Sequence, residues 1–167
     1  MPQLKTADET VEILNILEEN YPDPETELNY KNPFQLLIAV ILSAQTTDKQ
    51  VNKVTADLFA QFSTPEEIAD LTPEELEPYI KGVGLYRNKS KYLVNTCRKL
   101  VVDYGGQVPE TREELMNLSG VGRKTANVVA SCVFNKDAIA VDTHVFRVAN
   151  RIGLANSDGV REVEEEL

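Results

Sequence analysis

Three times in this chain an Asn or Thr, residues that cap helices, stands directly before a proline: Asn32-Pro33, Thr64-Pro65 and Thr72-Pro73. The capping oxygen accepts an amide of the first turn, and proline there gives up only an N–H that has no helical partner. Thr72 with Glu75, and Thr111 with Glu114, add the reciprocal capping box. Starts this closely spaced leave room only for short helices joined by short loops. Asp48 is expected to cap a further helix, with Val51, Val54, Leu58 and Phe62 as its buried stripe, and Val128, Val129, Cys132 and Val133 make another apolar face at helical spacing. No stretch alternates convincingly between apolar and polar residues, and no Asn-Gly or Asp-Gly turn joins two such stretches. The expectation is an all-α chain of roughly nine or ten short helices.

The length of 167 residues suits one compact domain or two small lobes. The longest apolar run, Leu36 to Leu42, is seven residues, far short of the ~20 that span a bilayer. With two cysteines, Cys97 and Cys132, neither a disulfide framework nor a closed zinc site is available, which points to a reducing compartment. Residues 8 to 20 read as an amphipathic helix (Val11, Leu14, Leu17) set off by Tyr21-Pro22-Asp23-Pro24. At the other end Val160, Val163 and Leu167 keep helical spacing with no terminating residue after them. That pattern is read as an incomplete C-terminal lobe, with a frayed surface tail as the other explanation.

The sharpest local feature is Leu118-Ser119-Gly120-Val121-Gly122-Arg123-Lys124-Thr125-Ala126, between a helix ending near Asn117 and one beginning near Arg123. Two glycines around one apolar residue make a tight helix–hairpin–helix. They permit positive φ and close approach of the backbone to a ligand, and the free amides of the second helix form an anion site suited to one DNA phosphate. A plain corner between helices with a glycine cap would need the same letters. Ile80-Lys81-Gly82-Val83-Gly84-Leu85-Tyr86 is a second copy, followed by two large apolar residues. An apolar residue at such a tip is either buried or wedged into a base stack.

Lys124 falls in the first turn of a helix, where the macrodipole disfavours a cation and so favours the neutral, nucleophilic amine if the site is partly desolvated. Asp142, in Val141-Asp142-Thr143-His144-Val145, is the carboxylate placed to exchange protons with it; an ordinary helix cap is the alternative role. His144, the sole histidine, has no second ligand at metal spacing and is expected to be structural.

These residues resemble the endonuclease III family. The resemblance runs through Glu27-Leu28-Asn29-Tyr30, Pro33-Phe34, Leu42-Ser43-Ala44-Gln45-Thr46-Thr47-Asp48, Gly84-Leu85-Tyr86, the Gly120 to Val129 hairpin and Val141 to Val145, in order and over essentially the whole chain. It implies a two-lobed helix–hairpin–helix DNA glycosylase fold: residues 1–21 as the first helix of the second lobe, 22–135 as a complete six-helix barrel lobe with its hairpin at about 111–131, and 136–167 as the start of a truncated C-terminal part. It implies a base-excision repair enzyme that removes damaged, oxidised pyrimidines from duplex DNA and cleaves the abasic site. In that scheme Lys124 attacks the sugar C1′, forms a Schiff base and breaks the 3′ side by β-elimination, while Asp142 stabilises the developing positive sugar. Gln45 is similar to the residue that fills the gap left by the flipped nucleotide, and Leu85 to the wedge on the opposite strand. Gly120, Val121, Gly122 and Thr125 line the phosphate contact, with a monovalent cation at the hairpin. A monofunctional glycosylase and a catalytically weak helix–hairpin–helix binding module are the competing readings.

Two departures from the family pattern stand out. Ser119 replaces the usual proline, and the four cysteines of the family's [4Fe–4S] cluster, in a C-x6-C-x2-C-x5-C run, are absent, so no metal ligand is assigned in this chain. The expected setting is a bacterial or archaeal cytoplasm, near the nucleoid, with the protein a monomer, no membrane contact and double-stranded DNA as its partner.

Taken alone, a net charge of −10 (17 Lys+Arg, 27 Asp+Glu) speaks against DNA. By segment it is −7 for 1–30, −5 for 31–80, +6 for 81–100, −3 for 101–114, +3 for 115–151 and −4 for 152–167. Both positive segments contain a Gly-Val-Gly hairpin. Residues 81–100 hold Lys81, Arg87, Lys89, Lys91, Arg98 and Lys99 with no acid. The expectation is one basic face and an affinity that falls steeply with salt.

Overall fold

The computed structural model describes residues 3–167, and among these it contains ten helices and no strand. They are α1 (Ala7–Asn20), α2 (Pro33–Leu42), α3 (Asp48–Gln61), α4 (Pro65–Ala69), α5 (Pro73–Ile80), α6 (Tyr86–Tyr104), α7 (Arg112–Leu115), α8 (Arg123–Phe134), α9 (Thr143–Ile152) and α10 (Val160–Glu166). Asn32, Thr64, Thr72 and Thr111 cap their helices as their sequence positions lead one to expect. For α3 the cap is Thr47, whose hydroxyl accepts the Gln50 N–H, and Asp48 is the first helical residue. Threonine in extended backbone places its oxygen over the third amide, while Asp48 one position later complements the helix dipole. Thr6 and Glu9 form a further capping box at the start of α1.

The chain divides into two compact units. The larger, Thr26–Ala138, contains α2 to α8 around a core centred on α2, in which Phe34 through Leu42 are all buried. A helix apolar on every side has to sit inside others, and α3, α6 and α8 pack on it. Val51, Val54 and Leu58 are buried as their stripe requires; Phe62 is half-buried, its ring edge-on to Tyr79 with centroids 5.0 Å apart. On α8 the buried face is Ala126, Asn127, Val129 and Ala130. Val128 and Val133 are half-buried and Cys132 is exposed, so the apolar face lies about one residue round from the expected one.

The second unit joins Met1–Glu25 to Ile139–Leu167. Its small core is Val141, Ala149, Ala155 and Val163, with Val145, Phe146 and Leu154 against it. Asn150 ties the end of α9 to the next loop, donating from Nδ2 to the Ser157 carbonyl and accepting the Ser157 N–H on Oδ1, both at 3.1 Å. The α1 stripe differs from a core stripe: no residue of α1 is fully buried, and Val11, Leu14 and Leu17 remain exposed. The chain preceding it is anchored through the Lys5 N–H on the Gly153 carbonyl at 2.9 Å. In α10 only Val163 of the three spaced apolar residues is buried.

Candidate nucleic-acid interface

The first hairpin is built from short-range bonds and two buried anchors. After α7 the Leu118 N–H donates to Leu115 O at 3.0 Å, and the Val121 N–H donates to Leu118 O at 3.2 Å. Leu118 and Val121 both enter the core, and Thr96 on α6 donates its hydroxyl to the Ser119 carbonyl at 2.7 Å. Between the anchors Gly120 takes φ +76°, and a Cβ on it would stand 2.8 Å from the Cβ and Cγ of Tyr92. Gly122 is the cap residue of α8 with extended backbone and open space where a Cβ would be.

No side chain caps α8. Thr or Asn or Asp oxygens occupy the amide sites at the starts of α1 to α5, α7 and α9, whereas α6, α8 and α10 have none, the first two standing directly behind Gly-Val-Gly. First-turn amides carry about half a positive charge in sum, so the start of α8 offers an uncapped anion site between the exposed Gly120 and Gly122. Lys124 stands exposed in that turn, and Thr125 is half-buried beside it. Val121 is not a projecting residue: its side chain is buried and its amide is used inside the hairpin.

The second hairpin repeats the letters but not the backbone. Neither Gly82 nor Gly84 has positive φ; the left-handed residue is Leu85, at φ 57°. The glycines are needed there for closeness. A Cβ on Gly82 would fall 2.6 Å from Gln50 Nε2, and one on Gly84 would fall 3.3 Å from the Gln45 carbonyl. Leu85 is 56% exposed, so this tip projects instead of packing. Gln45, also left-handed at φ 56°, is exposed in the turn after α2. Thr46 next to it accepts the Gly84 N–H on its hydroxyl at 3.0 Å, which joins the two tips.

Asp142 caps α9, with Oδ1 accepting the His144 N–H at 3.0 Å and the Val145 N–H at 2.8 Å. It belongs to the smaller unit and Lys124 to the larger. His144 is exposed, and its backbone N–H is one of the two that Asp142 accepts.

The basic block of α6 is less available than its composition suggests. Lys89 is buried; Arg98 donates to the carbonyls of Ala69 and Leu71 at 3.1 and 2.8 Å; Lys99 pairs with Asp103 at 2.7 Å. Lys81, at the end of α5, and Arg87 and Lys91 on α6 are exposed and engage no carbonyl or carboxylate among the described residues, with the Arg87 guanidinium 5.6 Å from the Tyr86 ring centroid.

A [4Fe–4S] cluster takes four thiolates, and this chain has two cysteines. Burial, assisted by the Glu66 charge, pushes the Cys97 thiol up to about 12, which keeps it protonated. Cys132 is exposed on a different helix, and among the described residues no group of three or more His, Cys, Asp or Glu is placed to hold a metal. The residues present do not fit the cluster that the endonuclease III family generally carries.

The comparisons agree with this architecture. The family model for HhH-GPD superfamily base excision DNA repair proteins matches residues 38–167. Endonuclease III of Rickettsia conorii is 54% identical over 155 residues, covering 93% of this chain and 74% of that relative. A trapped endonuclease III–DNA covalent intermediate superposes with TM-score 0.91 and 49% identity, over 98% of this chain and 78% of that one. A non-covalent endonuclease III–DNA complex gives TM-score 0.90 and 49% identity over 98% and 77%. Fold and hairpin together thus define a helix–hairpin–helix base excision repair protein. Within that class the chain belongs to the endonuclease III family, whose members are DNA glycosylases and abasic-site lyases.

Proposed function

We propose that this chain removes damaged pyrimidines from duplex DNA and cleaves the resulting abasic site, with Lys124 as the nucleophile. The observation that carries the assignment is the exposed Lys124 in the uncapped first turn of α8, directly behind Gly120 and Gly122. A phosphate bound to that turn brings the neighbouring sugar to the amine.

The Lys124 lone pair forms a bond to C1′ as the glycosidic C–N bond breaks and its electron pair leaves with the base. Loss of an amine proton and opening of the sugar ring give the Schiff base. Removal of a C2′ proton then expels the 3′ phosphate, and water hydrolyses the imine to return the amine. Asp142 balances the positive charge that develops on the sugar and carries protons between these steps. Its cap bonds to His144 and Val145 hold the carboxylate in one orientation. C1′ is reachable only once the nucleotide leaves the stack, and in this reading the exposed, left-handed Gln45 and Leu85 fill the space it vacates.

A monovalent cation at the hairpin belongs to the same reading, since neutral main-chain carbonyls are the donor type such an ion takes. Residues 22–135 serve as the barrel lobe, and the protein works as a monomer in a bacterial or archaeal cytoplasm. No helix among the described residues is long and apolar enough to cross a membrane.

The test is borohydride trapping on an abasic duplex. The wild type should give a covalent protein–DNA adduct and Lys124→Ala none. An undiminished adduct in Lys124→Ala would overturn the nucleophile, and binding without any wild-type adduct would leave a DNA-binding module.

A further inference from the structure

Among the described residues only three non-glycine residues have left-handed backbone, and two of them are Gln45 and Leu85. That conformation costs an L-residue about 1 kcal/mol or more, and it persists only where the surroundings over-determine it. Here both side chains are exposed, so their own packing does not impose it. The backbone around them must be held by something else.

Lys89 is in the right place to do so. It is 2% exposed, and its ammonium group donates to Leu42 O at 2.9 Å, to Ala44 O, and to Thr46 Oγ1 at 3.2 Å. An ammonium has three N–H donors, and all three are used on the residues flanking Gln45. Thr46 Oγ1 also accepts the Gly84 N–H, and the Lys89 N–H donates to the Leu85 carbonyl at 3.0 Å. One buried cation therefore bonds both sides of the first tip and, through one hydroxyl, the residue before the second. Burial pushes its pKa below the ordinary lysine value, and an apolar side chain of the same volume would serve simple stability as well or better. A buried lysine that closes a two-loop network serves geometry.

We propose that Lys89 is a positioning residue that locks Gln45 and Leu85 into a single rigid pair of tips, so that both enter the duplex together when a nucleotide is extruded. Preorganising the pair places the cost of ordering two loop tips in folding, where it no longer opposes insertion. The inference rests on the reading of Gln45 and Leu85 as inserted residues.

The experiment compares borohydride trapping on one abasic strand offered as a duplex and as a single strand, since the single strand needs no extrusion. Lys89→Met and Thr46→Val should keep single-strand trapping within about twofold of wild type while duplex trapping falls about tenfold, the scale of one charge-assisted hydrogen bond. Leu85→Ala should lower the same ratio, and adding Thr46→Val to it should lower it little further. A loss confined to stability would leave the ratio untouched. Thr46→Val preserves the side-chain shape and leaves Lys89 two acceptors, so it carries the test if Lys89→Met does not fold. A duplex-to-single-strand ratio unchanged in folded Thr46→Val overturns the inference. Failure of the wild type to trap either substrate would instead overturn the lyase reading.

Discussion

A Cβ on Gly120 would stand 2.8 Å from the Cβ of Tyr92, and the same glycine has φ +76°. The ring of α6 thus closes the first hairpin from behind, and positive φ and contact each demand glycine. Gly122, two residues on, has ordinary extended backbone and nothing near its missing side chain. Gly120→Ala should cost about 2–4 kcal/mol of stability, from left-handed strain plus a clash with a part of Tyr92 that cannot swing away. Gly122→Ala should cost about 1 kcal/mol or less but weaken DNA binding, since the added methyl covers the open amide face. Chemical denaturation of the two variants beside a DNA titration separates the effects; equal stability losses would contradict this account.

Asp142 has a local role and a proposed chemical one, and one substitution divides them. Asn keeps an Oδ1 to accept the His144 and Val145 N–H groups, so Asp142→Asn should melt within about 0.5 kcal/mol of wild type. Its glycosylase rate should nevertheless fall by about 10² or more, because the charge is gone. Asp142→Ala should lose about 1 kcal/mol of stability as well. Single-turnover kinetics on a damaged duplex give the answer, and a near-normal rate in Asp142→Asn removes the carboxylate from the chemistry.

The cations of α6 should divide in the same way. Arg98 is committed to the Ala69 and Leu71 carbonyls, whereas Arg87 is exposed at the tip beside Leu85. Arg87→Gln should reduce the slope of log affinity against log salt by about one. Arg98→Gln should leave that slope alone and lower stability instead, because it leaves two carbonyls without their donor. Salt titrations of both variants read this directly.

Acid sensitivity should come partly from the loop before α4. Glu67 accepts the Ser63 and Thr64 N–H groups at 2.6 and 3.1 Å, and these backbone bonds hold its pKa below the usual carboxylate value. A carboxyl depressed in the folded state stabilises it above the unfolded pKa of about 4.3, and that contribution fades as pH falls through the folded value. Glu67→Gln should therefore lose stability at pH 7 and show a shallower decline below about pH 4.5. Denaturation midpoints taken from pH 7 to pH 3 would expose a parallel decline if this is wrong.

The two thiols should react very differently. Cys97 is buried, with its pKa pushed up to about 12, while Cys132 is exposed on α8. One thiol per chain should react quickly with an aromatic disulfide reagent at pH 8, and the second only on unfolding. Two fast thiols in the folded protein would mean that α6 opens readily.

Much of the helical layout was legible because the signals are local. Asn32, Thr64, Thr72 and Thr111 each bond an amide three residues on, so the chain writes its own helix starts. The exchange of Asp48 for Thr47 shows how fine that reading is: both residues can cap, and one residue of register decides. The first hairpin was legible for the same reason, its glycine being required by a turn that closes on itself. The second carried the same letters with a different backbone, because Gly82 and Gly84 answer to Gln50 and Gln45 in other segments.

By itself the sequence determined an all-helical chain, most of its helix starts, and the family to which Lys124 and Asp142 belong. Tertiary structure alone decided that Lys89 is sealed beneath the Gln45 turn, that Arg98 and Lys99 are engaged within the protein, and that Leu85 projects in a left-handed conformation. Caps and turns are settled within three or four residues of chain. The fate of a charge depends on carbonyls and carboxylates brought to it by the packing of whole helices, and for Lys89 those partners lie more than forty residues away.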